Sequence, residues 1–137
     1  MSSKRHVNIV VGNREEALND MYTEIIRHAY PAIDFSFTVA TRVPDFIELA
    51  CDQGTNLAIL MPPGNIDSDP ARPDSTPETE AIFIIQAIKA RHPIPIIVVA
   101  ASPVRAEAVL AAGADQFIYV PAQPGQIESA VAACLKL

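Results

Sequence analysis

The most suggestive arrangement of ligating groups in the chain consists of Asn65, Asp67 and Asp69 at alternate positions, with Glu78 further on. Oxygen ligands at alternate positions followed by a glutamate are typical of a calcium-binding loop. This segment lacks a glycine at the required sharp turn, and its prolines stiffen it against wrapping an ion. We therefore interpret it as a solvated acidic loop, a candidate functional loop in which we predict no metal ion.

No other set of residues predicts catalysis. Glu15 and Glu16 follow the first apolar run, where they complement the amino-terminal dipole of a helix more simply than they bind a metal. The scattered histidines are expected at the surface, and Cys51 and Cys134 show no metal-binding spacing. The sequence offers no nucleophile with a nearby base and no glycine-rich phosphate loop. We expect a non-enzymatic protein without catalytic residues, metal or cofactor.

The organising stretch of the chain is the apolar run Leu57–Leu60, which continues into Met61 and stops at a Pro-Pro-Gly sequence. Such a run without alternation predicts a strand buried on both faces of a parallel sheet. In these sheets the ligand crevice lies beyond the carboxyl ends of the strands, so Met61 occupies the place where chemistry is expected. A thioether cannot accept a phosphoryl group, bind a hard cation as an anion or relay a proton.

Apolar periodicity predicts five strands alternating with five helices. The predicted strands are 7–11, 35–39, 57–60, 94–101 and 116–120, and the helices begin near residues 14, 42, 76, 102 and 125. We expect helix caps at Asn13, Thr41 and Ser102, and a capping box formed by Ser75 and Glu78. Five such units predict an α/β fold with a five-stranded parallel sheet and helices on both faces.

The composition favours one domain over residues 1–137, with an extended Pro/Asp-rich loop at about 62–76. Half of the 137 residues are apolar, and the formal charge of −6 disfavours nucleic acid as a partner. The amino-terminal apolar run is too short for a signal peptide or a membrane span. We expect a cytoplasmic protein that does not bind membranes and carries no attached output domain.

Several strings resemble the receiver domain of bacterial two-component response regulators, over essentially the whole chain. The best match is Ala-Ala-Gly-Ala-Asp-Gln-Phe-Ile at Ala111–Ile118, followed by Pro121. Ile94–Ile97 is similar to the fourth strand of a receiver, and Asn56–Leu60 to the third. The resemblance implies a (βα)5 doubly wound, flavodoxin-like (CheY-like) fold.

Receivers accept a phosphoryl group on an aspartate that ends strand three, beside an acidic pair that holds magnesium, a hydroxyl residue and a lysine. By resemblance the acceptor position falls on Met61 and the acidic pair on Gly12 and Asn13. The hydroxyl position falls on Ala100 and the lysine position on Val120. The chain thus resembles a degenerate pseudo-receiver. A surrogate acceptor at Asp67 or Asp69 is a less favoured alternative.

We therefore expect a signalling module that binds protein partners, or a second copy of itself, without phosphorylation. The resemblance places the partner surface at Phe117 and Tyr119, with plain core packing as the alternative for Phe117. A second hypothesis is a small-molecule sensor, because the vacated site, with Met61, Val11 and neighbouring apolar residues around it, suits an uncharged ligand.

Overall fold

The computed structural model describes residues 5–61, 76–101 and 103–137. In these ranges five strands alternate with five helices. The strands are β1 (Arg5–Gly12), β2 (Ile33–Ala40), β3 (Leu57–Leu60), β4 (Ile96–Ala100) and β5 (Gln116–Tyr119). The helices are α1 (Glu16–Ala29), α2 (Val43–Ala50), α3 (Pro77–Arg91), α4 (Ala106–Ala112) and α5 (Gln126–Leu135).

Several residues singled out in the sequence lie outside the described ranges. They are the loop candidates Asn65, Asp67 and Asp69, and the expected cap residues Ser75 and Ser102.

All five strands are parallel and follow the order β2-β1-β3-β4-β5. The central strand is β3, and every residue of β3 and β4 is buried. Strands covered on both faces have no solvent-facing side, which is why their sequences are apolar without alternation. The predicted α/β class and the five-stranded, doubly wound parallel sheet are confirmed.

The sheet separates two apolar layers. On one face, side chains such as Leu60 and Val98 pack with Phe46 of α2 and Ile84 of α3. On the other face, Ile59 and Val99 pack with Tyr22 and Ile26 of α1 and with Val131 of α5. Successive strand residues point to opposite faces, so each strand supplies both layers.

The edge strand β2 has a burial gradient along its apolar positions: Phe35 is buried, Phe37 is partly buried and Val39 is exposed. Arg27 of α1 covers this edge, since its Nη1 donates to the Phe35 carbonyl at 3.0 Å and its guanidinium lies 4.9 Å from the centre of the Phe37 ring. A paired carbonyl and a cation on an edge strand discourage pairing with another chain.

Three predicted helix caps are wrong by one or two residues. The cap residue of α1 is Glu15 instead of Asn13, and that of α2 is Arg42 instead of Thr41. The capping box of α3 is formed by Thr76 and Thr79, not by Ser75 and Glu78.

Helix α4 begins at Ala106, later than the position that Ser102 and Pro103 predict, and Arg105 is its cap residue. The reason lies in partners from elsewhere in the fold. The Glu78 carboxylate accepts from the Arg105 backbone N–H at 2.8 Å, and the Tyr119 hydroxyl oxygen accepts from the Ala106 N–H at 3.3 Å. Because the first N–H groups of a helix need external acceptors, these two contacts define its start.

Candidate functional site

The carboxyl ends of the inner strands bring the predicted site positions to one edge of the sheet. Met61 directly follows β3, and its N–H donates to the Gly12 carbonyl at 3.1 Å. Val120 directly follows β5, and its N–H donates to the Ala100 carbonyl at 3.1 Å. Parallel strands with matched register thus place Met61, Ala100 and Val120 along the same edge.

A cavity of about 890 Å³ opens at this edge, between α1, α5 and the ends of β3 to β5. Met61, Ala100 and Val120 contribute to its walls, and Glu128 is the one charged residue among the described residues that line it. The full described lining is Leu18, Met21, Tyr22, Ile25, Met61, Pro77, Val99, Ala100, Ala101, Pro103, Val104, Val120, Pro121, Ala122, Gln123, Pro124, Gly125, Ile127 and Glu128. Its surface is mainly apolar.

Val11 was expected to surround the same pocket as Met61, but it does not line the cavity. Val11 is buried in the layer under α1 and α5. It lies one residue before the end of β1 at Gly12, and its side chain packs between the sheet and these helices. Met61 has only 2% of its surface exposed, whereas Val120 has 40% exposed. The cavity is therefore deep at β3 and open at β5.

Gly12 and Asn13 do not line the cavity either. Asn13 is fully buried, and its Oδ1 accepts from the Glu15 N–H at 3.3 Å while its carbonyl accepts from Asn19 Nδ2 at 3.1 Å. These bonds fix the turn between β1 and α1. The acidic-pair positions thus hold a glycine and an amide engaged in a structural turn.

Tyr22 is a cavity residue that the sequence analysis did not identify. Helical periodicity assigns it to the buried face of α1, and nothing in the sequence shows that this face borders a cavity. It is 5% exposed and lines the cavity, and the structure shows no hydrogen bond between its hydroxyl and another described residue. Burial raises the pKa of Tyr22, so its hydroxyl is a neutral donor at physiological pH.

Phe117 and Tyr119 lie on the same face of β5, with ring centres 4.7 Å apart at an interplanar angle of 72°. Phe117 is partly buried and packs against the core layer of α2, α3 and α4. Tyr119 is 49% exposed, and Leu110 of α4 is also exposed. Phe117 and Tyr119 form an aromatic pair beside the start of α4, which we call the α4–β5 patch (Phe117, Tyr119).

Groups of metal ligands and reactive thiols would mark two other kinds of site. Within residues 5–61, 76–101 and 103–137, no three His, Cys, Asp or Glu side chains are grouped so that they could hold a metal. Burial raises the pKa of the Cys134 thiol to about 11, and it also raises that of Cys51, so neither provides a thiolate near neutral pH.

No helix in the described part of the chain is long and apolar enough to span a bilayer.

No protein-family model matches the sequence, and no curated protein matches it. Solved structures do match. A response regulator receiver domain protein from Clostridium thermocellum aligns with a TM-score of 0.71 at 13% identity, over 95% of this chain and 94% of its own. A CheY-like receiver domain protein from Methanospirillum hungatei aligns with a TM-score of 0.68 at 18% identity, over 95% and 94% of the two chains.

The receiver domain of the sensor histidine kinase PA1611 from Pseudomonas aeruginosa aligns with a TM-score of 0.69 at 12% identity, over 96% of this chain and 99% of its own. That structure contains a magnesium ion in its active-site cleft. At such identities the likeness establishes a shared fold. The chain has the CheY-like, flavodoxin-type fold of receiver domains.

Proposed function

We propose that this protein is a receiver-like signalling module that acts through protein partners and without aspartyl phosphorylation. The observation that carries the proposal is Met61, which lies buried at the carboxyl end of the central strand, where a receiver has its phosphorylated aspartate. The neighbouring strand ends carry Ala100 and Val120, which supply neither a hydroxyl nor a cation. At these three positions, Met61, Ala100 and Val120, the chain has no carboxylate acceptor, no phosphate-binding hydroxyl and no lysine.

The α4–β5 patch is the partner surface that this proposal favours. Tyr119 has 49% of its surface exposed, and aromatic side chains that are rigid and partly exposed are common anchors of interfaces. Phe117 supports that ring from below with edge-to-face packing. The occupant is a cytoplasmic signalling protein or a second copy of this chain. A nucleic acid partner is disfavoured by the net charge of −6.

Incubation with acetyl phosphate and Mg²⁺, followed by intact-mass measurement, tests the phosphorylation-independent mechanism. We expect no added phosphoryl group and no change in melting temperature with beryllofluoride. A functional receiver treated in parallel provides the positive control. A phosphoryl group mapped to Asp67 or Asp69 would instead revive the surrogate-acceptor alternative and overturn the proposal.

A small-molecule sensor is the second candidate function, and the apolar cavity at the strand ends favours it. Two variants separate the candidates once a partner has been captured from native extract. If the α4–β5 patch is the interface, Tyr119→Ala abolishes capture, and a variant with residues 64–73 removed retains it. Capture that survives Tyr119→Ala and disappears with the loop would contradict the placement of the interface.

A further inference from the structure

We infer that the cavity at the strand ends binds a neutral, mainly apolar molecule that carries one hydrogen-bond acceptor, and that Tyr22 donates to this acceptor. The inference deepens the second candidate function, on which it rests, by naming the class of ligand and the residue that orients it.

The size and lining of the cavity define the apolar part of the ligand. Its volume of about 890 Å³ falls in the range of roughly 300–1,000 Å³ that is common for small-molecule sites. Met61, Ile127 and Val99 supply aliphatic and thioether surface at its inner end. A bicyclic aromatic or branched aliphatic body can bury most of its surface there, and the burial of apolar surface provides the main driving force.

Tyr22 supplies the polar element of recognition. Tyr22 is 95% buried, lines the cavity and makes no hydrogen bond to a described residue, and its hydroxyl is not among the buried polar atoms without a partner, so the donor is open to the cavity. The raised pKa keeps the proton on the oxygen. A ligand carbonyl, ester or ether oxygen within reach of Tyr22 would satisfy this donor.

The charge of the surroundings excludes anions from the ligand class. None of the described lining residues carries a positive charge, and Glu128 places a carboxylate on the wall next to Ile127. The formal charge of the chain, −6, adds long-range repulsion. A carboxylate or phosphate would therefore lose its hydration and gain no counter-charge, at a cost that apolar contacts do not offset.

Three probes of nearly equal shape test the inference: 1-acetonaphthone, which has a carbonyl acceptor, 1-ethylnaphthalene, which has none, and 1-naphthoate, which is an anion. Binding to the full chain is measured by titration of backbone amide NMR spectra. We expect the ketone to bind between about two-fold and ten-fold more tightly than the hydrocarbon, the factor that one net hydrogen bond supplies. We expect naphthoate to bind more weakly than both, and perturbed amides to cluster around Tyr22 and Ile127.

Variants then assign the preference to one atom. Tyr22→Phe removes only the hydroxyl, so the ketone should bind as weakly as the hydrocarbon, whose own affinity stays the same. Thr23→Val is the matched control, because it removes a hydroxyl from the next residue of α1, which does not line the cavity. Ala101→Trp places an indole at an exposed wall position and should weaken the ketone and the hydrocarbon alike. Melting curves verify that each variant is folded.

The outcomes are separable. Equal affinity for ketone and hydrocarbon, or a preference that survives Tyr22→Phe, overturns the role of Tyr22. Tighter binding of naphthoate overturns the ligand class. If no probe binds the parent protein, the inference fails as a whole. None of these results changes the acetyl phosphate experiment, so failure here and failure of the phosphorylation-independent mechanism are distinguished.

Discussion

Met61 is the residue on which the proposed phosphorylation-independent mechanism depends. The backbone around it is regular, with its N–H bonded to the Gly12 carbonyl at 3.1 Å. The φ angle of Met61 is not among the positive values of the described backbone, so the position itself carries no left-handed strain. A buried thioether contributes packing and polarizability where a carboxylate would need a cation.

Replacing Met61 by Asp should destabilise the protein without creating a phosphorylation site. None of the described residues that line the cavity with Met61 carries a positive charge, and an unpaired buried charge costs about 3 kcal/mol or more unless the group stays protonated. Burial raises the pKa of such a carboxyl, so its penalty grows as pH rises above the ordinary aspartate value of about 3.9. Urea unfolding at pH 4 and pH 7.5 measures this.

Met61→Leu is the matched control, since it conserves volume and should cost less than about 1.5 kcal/mol at both pH values. Equal stability of Met61→Asp and the parent at pH 7.5 would show that water reaches this strand end, against the 2% exposure of Met61.

The start of α4 depends on a contact between elements. Glu78 in the first turn of α3 accepts three hydrogen bonds from Arg105: from its backbone N–H at 2.8 Å, its Nε at 3.0 Å and its Nη2 at 2.9 Å. The contact joins the connection between β4 and α4 to α3, beside Pro77 and Val104 of the cavity wall. Cavity shape and the position of α4 are thereby linked through one carboxylate.

Glu78→Gln should lower the melting temperature at neutral pH and have little effect in acid. Hydrogen bonds from Arg105 lower the pKa of Glu78 below its ordinary value of 4.5. A lowered folded-state pKa contributes stability that is present above the unfolded value and is lost as pH falls through the folded one. Melting temperatures of parent and variant, measured from pH 7 down to pH 3, should therefore converge.

Glu48→Gln provides the comparison, because the Glu48 carboxylate makes a single contact with Arg91, at 3.0 Å and largely exposed. Exposed single pairs contribute little to stability, so its effect at neutral pH should be the smaller one. A difference for Glu78→Gln that persists unchanged at pH 3 would contradict the assignment to the ionised carboxylate.

The molecule as a whole is stabilised by two apolar layers on a central parallel sheet, formed by residues within the described ranges. Removing residues 64–73 should therefore change the free energy of unfolding by about 1 kcal/mol or less. Loop-closure entropy varies slowly with loop length, and this segment contains one large apolar residue, Ile66. Chemical denaturation of the parent and the shortened chain measures the change. A loss of several kcal/mol would show that the segment packs on the core.

The elements of this fold are predictable from the sequence because they follow from local patterns. Unbroken apolar runs placed β3 and β4 inside the sheet, and the three- and four-residue spacing in α3 identified its buried face. In α1 the same spacing identified Tyr22 and Ile26, but Met21, which it also assigns to the buried face, is 45% exposed. Both patterns report which side chains must avoid water, a requirement that each segment carries wherever it packs. The apolar residue that follows β3, Met61, was likewise predictable once the strand end was located.

Boundaries and the cavity required the assembled molecule. Ser75 and Thr76 are both good caps, and helix energetics differ little between starts one residue apart. The start of α4 was decided by Glu78, 27 residues away from Arg105 in the chain. The position of Tyr22 at the cavity wall arises in the same way, because periodicity shows that a side chain is buried, and the packing of α1, α5 and the strand ends decides whether it meets a neighbour or a cavity.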